Sequence, residues 1–518
     1  MTNVALRVTD EAVVTTPMFR VRGQVSRWNY PHTRLTPEHC EILQDVNISE
    51  EGVAQSRYGT AKYNTAQVTG GATPTGLYQV KFANGTEENI VTTPEKILVN
   101  SGGSAWTDKT GSDMTGTADN HLQFGFIKDK VILNNKVDPP RSKAVGANTA
   151  NISGVPFTKA EGFFTHQNLL IFYGTTESST FYPTRIRWCD INRATHQLDI
   201  DTWRADNRYE IYDGGPKIVG AVDAWGIALI FKEDGLYPGR IYFDTIGNLD
   251  FRLDDQLLQR GFSPVSTLGI GARPEVVWCV AKEGIAAFDR SLNFRIVNSD
   301  DLKEWLSLNK GRYNKIQSWV REKDHQVRFL CSSSSNSTGH DRILVWDWES
   351  DDIWFDRPTK VTNYGSSVDI DDEELDWFGA TDGYVYQGNK SSYSDDDGTG
   401  FAWHIKMSPN DLGFPGRQKK VINVVTVYRK RAGEQNITFK GNIDEGRKAS
   451  VTGDLDLGQS IQWNSGKLWG TGEIWPGANA RRSDFFVNRM CETIAPEWTS
   501  SDPANIYGYF VEFILLET

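Results

Sequence analysis

With 518 residues, 38% of them hydrophobic and 24% charged, the chain has material for roughly two to four domains with ordinary cores, which excludes a single small motif domain. Its 67 acidic against 55 basic side chains give a formal charge of -12. That sign argues against an extended grip on nucleic-acid phosphates, though not against a protein through which DNA merely passes.

Mean hydropathy is -0.47, and no uninterrupted apolar stretch approaches the ~20 residues a helix needs to cross a bilayer, so a soluble chain is expected. The opening MTNVALRVTDEAVV lacks the basic-then-apolar order of a cleaved signal peptide, and secretion by that route is not expected. Residues 1–74 read as a polar, extended region. It is expected to close a later sheet by lending it a strand, since joining the ends removes an exposed edge.

Strand and turn groups follow. Gly76 to Asn100, GLYQVKFANGTEENIVTTPEKILVN, reads as three strands with a turn at Asn84-Gly85, and HLQFGFIKDKVILNN from His121 to Asn135 repeats the strand, charged turn, strand form. Further units hold HQNLLIFYGTTE (His166 to Glu177), AWGIALIFKEDGLYPG (Ala224 to Gly239), EVVWCVAKEGIAAFD (Glu275 to Asp289), HQVRFLCSSSSNSTGHDRILVWDWES (His325 to Ser350) and LDWFGATDGYVYQG (Leu375 to Gly388). Their starts lie roughly 45 to 58 residues apart, room for one four-stranded blade each. The predicted fold is all-β: a β-propeller of about seven blades over residues 75–399, with six or eight also compatible with the irregular repeat. Successive sandwiches are the rival, and they would need larger independent cores. The best helical fragment, DLKEWLSLN at Asp301 to Asn309, is a short connection.

SSYSDDDGTG at Ser391 to Gly400 marks a boundary, because glycine and repeated charge disfavour a packed interior. Beyond it, KKVINVVTVYRKRAGEQNITFKGNID (Lys419 to Asp444) and NIYGYFVEFILLE (Asn505 to Glu517) predict a small C-terminal β sandwich or barrel over residues 400–518.

Residues that could carry chemistry are sparse. Cys40, Cys189, Cys279, Cys331 and Cys491 are distant and odd in number, so reduced thiols buried in strands are expected. His32, His39, His121, His166, His196, His325, His340 and His404 stand singly, without the spacing of a zinc site. Asp369, Asp371, Asp372, Glu373, Glu374 and Asp376, and the run Asp395, Asp396 and Asp397, read as solvated acidic edges. Calcium is the lesser reading there, because the ligand spacing and glycine of an EF-hand loop are missing. No dinucleotide loop, phosphate loop or nucleophile elbow occurs; Gly269 and Gly271 in GIGARPE read as a turn, and Trp346 and Trp348 in WDWES as packing residues. Arg417 to Lys420 (RQKK) with Arg429, Lys430 and Arg431 form the clearest basic feature, assigned to assembly or solvent rather than to DNA. No catalytic, cofactor-binding or metal-ligating residue is assigned, and no cofactor is expected.

The stretch QDVNISEEGVAQSRYGTAKYN, Gln44 to Asn64, resembles the tail nozzle (tail tubular protein B) and packaged-DNA stabilisation proteins of short-tailed bacteriophages through Asn47, Gly52, Arg57, Gly59, Thr60 and Tyr63. RIRWCDI (Arg185 to Ile191) is similar to a blade segment of that family, and LGFPGRQKKVINVVTVYRK (Leu412 to Lys430) to its passage into a terminal β domain. The chain is shorter than the larger nozzles. The resemblance implies a non-enzymatic virion component of the tail, assembled in the host cytoplasm: a sixfold ring of identical subunits below a portal or tail adaptor protein. It further implies tail fibres as neighbours and a conduit through which double-stranded DNA is retained and then ejected. A propeller-based receptor-binding or glycan-processing virion protein is the alternative.

Overall fold

The computed structural model describes residues 13–24, 38–49, 53–101, 105–192, 197–211, 216–243, 249–298, 305–358, 360–370, 372–393, 395–430, 437–455 and 481–516. Gly52, His32, His196, Asp371 and Arg431, singled out above, lie outside them. The chain forms two compact units: residues 61–343 with 360–388, and residues 1–60 with 344–359 and 389–518.

The first unit is a seven-bladed β-propeller. Blade 1 is built from Gly76–Lys81, Glu87–Thr92, Ile97–Asn100 and Thr107–Asp108, and blade 2 from Gln123–Ile127, Lys130–Asn134, Arg141–Lys143 and Ala150–Asn151. Blade 3 holds Lys159–His166, Leu169–Glu177, Thr180–Trp188 and Arg208–Glu210; blade 4 holds Ile218–Ala224, Ile227–Lys232, Gly235–Phe243 and Leu249–Leu253. Blade 5 holds Ile270–Ala272, Val277–Ala281, Gly284–Phe288 and Phe294–Ile296. Blade 6 begins with Gln317–Arg321, Gln326–Cys331 and Arg342–Asp347, and blade 7 runs Thr362–Ile370, Glu373–Ala380, Val385–Gly388 and then Thr60–Lys62 from the N-terminal side of the chain.

Radial closure is visible in the first strands. Each packs on the first strand of the next blade, and that of blade 7 packs back on that of blade 1. The cores lie between blades: Leu77, Val91 and Leu98 of blade 1 share one with Val368, Leu375 and Trp377 of blade 7. Inner strands come so close that some positions admit no side chain. A Cβ on Gly125 would stand 2.6 Å from the Phe163 ring of the next blade, and one on Gly365 2.7 Å from Trp319. The second strands of blades 4 and 5 and the third of blade 5 are covered on both faces: in Ile227–Lys232, Val277–Ala281 and Gly284–Phe288 every residue is buried.

The second unit is a β sandwich. One sheet runs Val46–Ile48, Ala54–Ser56, Ala504–Leu515, Lys419–Lys430 and Arg481–Cys491, with Val14–Thr15 paired to Ala504–Leu515. The other contains His39–Gln44, Trp403–Met407, Ile494–Ser500, Thr438–Ile443 and Lys448–Asp454. Their inner faces meet where Phe439 and Phe485 lie 4.4 Å apart by ring centroid, and where the Trp498 indole donates to Thr426 Oγ1 at 3.0 Å. The sandwich thus recruits N-terminal strands beside those after residue 400.

All five cysteines are buried free thiols. Of the short helical fragment, only Trp305 and Leu306 are helical among the described residues.

Candidate binding cleft and the Arg57 clasp

Two arrangements stand out, one in each unit. In the sandwich unit the buried Arg57 guanidinium is enclosed by acceptors. Nε donates to Asp45 Oδ1 at 2.8 Å, Nη1 and Nη2 form a fork on Asp396 Oδ1 and Oδ2 at 2.8 and 2.6 Å, and the carbonyls of Tyr58 and Arg357 accept at 3.1 Å. The Phe401 ring lies 3.8 Å from the guanidinium carbon. Parallel donors on a planar carboxylate make the fork a strong, directional pair. Two residues on, Gly59 touches the Asp395 backbone so closely that a Cβ would stand 1.8 Å from its carbonyl oxygen. Thr60 Oγ1 then donates to Asp396 at 3.1 Å. Arg57, Gly59 and Thr60 therefore act together to hold residues 393–397.

This corrects the reading of Asp395 to Asp397 as a solvated edge: Asp396 is fully buried, as an ion-pair partner. Asp376 is corrected likewise. It is fully buried in the propeller, accepting from the Trp319 indole at 2.8 Å and pairing with Arg328 at 2.9 Å. Among the described residues of that run, the exposed ones are Asp369 and Asp372. Within RQKK, Lys419 is buried and its Nζ caps the carbonyls of Arg417 and Glu492, whereas Arg417 and Arg429 are exposed. Among the described residues no group of three His, Cys, Asp or Glu side chains could hold a metal ion.

RIRWCDI supplies a second buried charge cluster. Arg185 and Arg187 both pair with Glu177, at 2.9 and 2.6 Å. Burial opposes ionisation of Glu177, but hydrogen bonds from Arg187, Thr175 and Arg185 win and bring it down to about 2. The structure also brings together two histidines that the sequence separates. His121 and His340 lie 6.2 Å apart by ring centroid; His121 Nδ1 bonds Gln317 at 3.0 Å and His340 Nδ1 bonds Ser332 Oγ at 3.0 Å. Burial pushes His121 down to about 3, against the hydrogen bond its Nε2 donates to Asn363 Oδ1. Both rings are thus neutral core groups.

The propeller carries a cleft of about 780 Å³ that sequence reading missed. Its walls come from the ends of blades 3 to 6 where the first strands begin: Glu161, Ile218 and Val219, Thr267, and the segment from Leu306 to Lys315 before blade 6. Turns between second and third strands add Lys136 from blade 2, Glu233 from blade 4 and Lys282 from blade 5. Five lysines line it, Lys136, Lys217, Lys282, Lys310 and Lys315, against two glutamates. Lys136 Nζ donates to Thr267 Oγ1 at 2.8 Å, which in turn donates to the Val219 carbonyl at 2.8 Å. Burial lowers Lys136 to about 8, Glu161 opposing and Lys315 and Lys217 adding repulsion; Lys315 is lowered too, again chiefly by burial. Lys217, Lys282 and Lys310 are exposed, and none forms an ion pair among the described residues. The arrangement can attract and hold an anion.

No protein-family model matches the chain, and no curated protein does. Solved structures similar to it include a catalytically inactive virginiamycin B lyase from Staphylococcus aureus with quinupristin, at 11% identity over 64% of this chain and 99% of that one, TM-score 0.41. The Pan2 WD40 domain of Neurospora crassa is similar at 10% over 67% and 99%, TM-score 0.40, and BamB from Moraxella catarrhalis at 12% over 73% and 100%, TM-score 0.36. The propeller itself rests on the seven sheets and their closed ring of first strands.

Proposed function

We propose that this protein is a non-catalytic structural component of a short-tailed bacteriophage tail nozzle, one subunit of a ring through which packaged double-stranded DNA is retained and later ejected. The Arg57 clasp is the observation that supports this reading. Three of the six residues that carry the resemblance, Arg57, Gly59 and Thr60, form one interlocked unit with Asp45 and Asp396.

In this reading six copies surround the axis, a portal or tail adaptor protein sits above them, and tail fibres are neighbours in the virion. The formal charge of -12 per chain suits a conduit that does not trap a polyanion. Electron cryo-microscopy of the intact particle tests the proposal, with repeated copies of the chain around the tail axis and a through-channel expected. A peripheral position with no axial channel would overturn it. The second reading, a virion propeller that binds a receptor ligand, is favoured by the lysine-lined cleft; such a protein would sit at the periphery in the same map.

A further inference from the structure

We infer that the cleft at the mouth of blades 2 to 6 is a binding site for a small anion carrying a diphosphate group. The inference is independent of the tail assignment. Charge is the first ground. Five ammonium groups against two carboxylates leave a formal excess of three positive charges in the wall of a chain whose total is -12. The exposed Lys217, Lys282 and Lys310 have no acidic partner among the described residues. One carboxylate would leave most of this excess unmatched, whereas a diphosphate matches it.

The kind of cation is the second ground. The lining contains lysines and no arginine. Planar two-point recognition of a carboxylate favours a guanidinium fork; lysine meets phosphate as a point charge from several directions. Lysines reach the lining from different blades, Lys136 and Lys282 from turns between second and third strands and Lys315 from the segment before blade 6, an arrangement that suits a tetrahedral group approached on several sides.

Size and the remaining lining are the third. About 780 Å³ falls in the range of small-molecule sites, roughly 300 to 1,000 Å³, and is far too small for a duplex. Ile218, Val219, Pro264 and Val265 offer an apolar wall, and Glu161 and Glu233 offer acceptors that a sugar hydroxyl would satisfy. Inorganic polyphosphate and a nucleoside diphosphate share the diphosphate chemistry and differ in whether they use that apolar and acceptor wall.

Isothermal titration of the purified full chain at low ionic strength tests this, with inorganic pyrophosphate, ADP and ribose as separate probes. Saturable one-site binding of pyrophosphate and ADP is expected, with none for ribose. ADP binding more tightly than pyrophosphate would identify a nucleotide as the source, and equal affinity an inorganic polyphosphate; both outcomes support the diphosphate site. The double variant Lys217→Glu/Lys282→Glu alters two exposed side chains and should keep the far-ultraviolet dichroism and melting midpoint of the parent while weakening both ligands by about tenfold or more. The pair Lys217→Arg/Lys282→Arg should retain binding within about threefold, because charge is kept. Should the double glutamate variant fail to fold, Lys310→Glu alone is the substitute and should weaken both ligands. No saturable binding of either phosphate, or binding unchanged by charge reversal in a folded variant, would overturn the inference.

Discussion

Replacing Arg57 by methionine should open the clasp while leaving the propeller closed. The substitution keeps most of the apolar length of the side chain but removes its donors to Asp45, Asp396, the Tyr58 carbonyl and the Arg357 carbonyl. Asp396, fully buried, keeps the Thr60 hydroxyl but loses its cation; Asp45, also buried, keeps bonds from Gln44 Nε2 and the Arg357 amide. Breaking a buried pair from one side costs about 3–5 kcal/mol, since the remaining charge stays in a poor solvent. The partial compensation at Asp45 places the expected loss at the lower end, about 3 kcal/mol. A chain of two units need not unfold in one step, so the loss belongs to a local opening free energy rather than to a single melting midpoint. Amide hydrogen exchange reads it directly: the amides of Gly59, Thr60 and Asp397, bonded to Tyr393, Asp395 and Thr60 carbonyls, should exchange on the order of a hundredfold faster. Strands such as Val277–Ala281 should be unaffected. Asp396→Asn combined with Arg57→Met should cost less than the sum of the single changes, because the stranded charge is gone. Unchanged exchange at the three amides, with a stability loss under about 1 kcal/mol, would refute a load carried by this pair.

Three further outcomes follow from the propeller. His121, held down to about 3 by burial, takes up a proton in the unfolded chain first, so its stabilising contribution is complete above about pH 6.5 and drains away as pH falls toward 3, with a ceiling of about 5 kcal/mol. Melting curves of His121→Asn should lose less stability than the parent between those pH values, and parallel pH profiles would contradict the assignment. Glu177→Gln should strand Arg185 and Arg187 and destabilise blade 3 locally by about 3 kcal/mol, seen as faster exchange in Thr180–Trp188. Gly125→Val should lower the propeller's melting temperature through a clash with Phe163 worth about 1–3 kcal/mol; an unchanged midpoint would mean that the neighbouring blade yields freely.

The propeller was legible through its second and third strands. AWGIALIFKEDGLYPG and EVVWCVAKEGIAAFD announce themselves because both faces of those strands are covered, so apolar residues run unbroken. First strands carry a weaker signal: Lys159–His166 mixes charge and glycine with aromatics, and Ile270–Ala272 is three residues of intermediate burial, because the crowded axis selects small side chains over an apolar pattern. Thr60–Lys62 is equally short and is a strand only through the sheet that receives it. The sandwich was read from Lys419 onward because its 12-residue strands alternate strongly. The share contributed by His39–Gln44 and Ala54–Ser56 depends on pairing across hundreds of residues, which local pattern does not encode.

Charge was harder to read than hydrophobicity, for a related reason. A run of like charges marks a stretch of chain, whereas burial and pairing act on single residues. Asp376 and Asp396 sit inside acidic runs yet are fully buried, because Arg328 and Arg57, 48 and 339 residues away, reach them. The reverse holds for the cleft. Lys136, Lys217, Lys282, Lys310 and Lys315 never adjoin one another in sequence, so a search for basic runs passes over them and stops at RQKK in the sandwich. A propeller gathers at one end the start of every first strand and the turn between every second and third, so lysines at those positions in blades 2, 4 and 5 and two before blade 6 concentrate charge that the whole-chain balance of -12 conceals. In such a fold charge is read by position around the ring, and at this cleft an acidic chain carries five lysines against two glutamates.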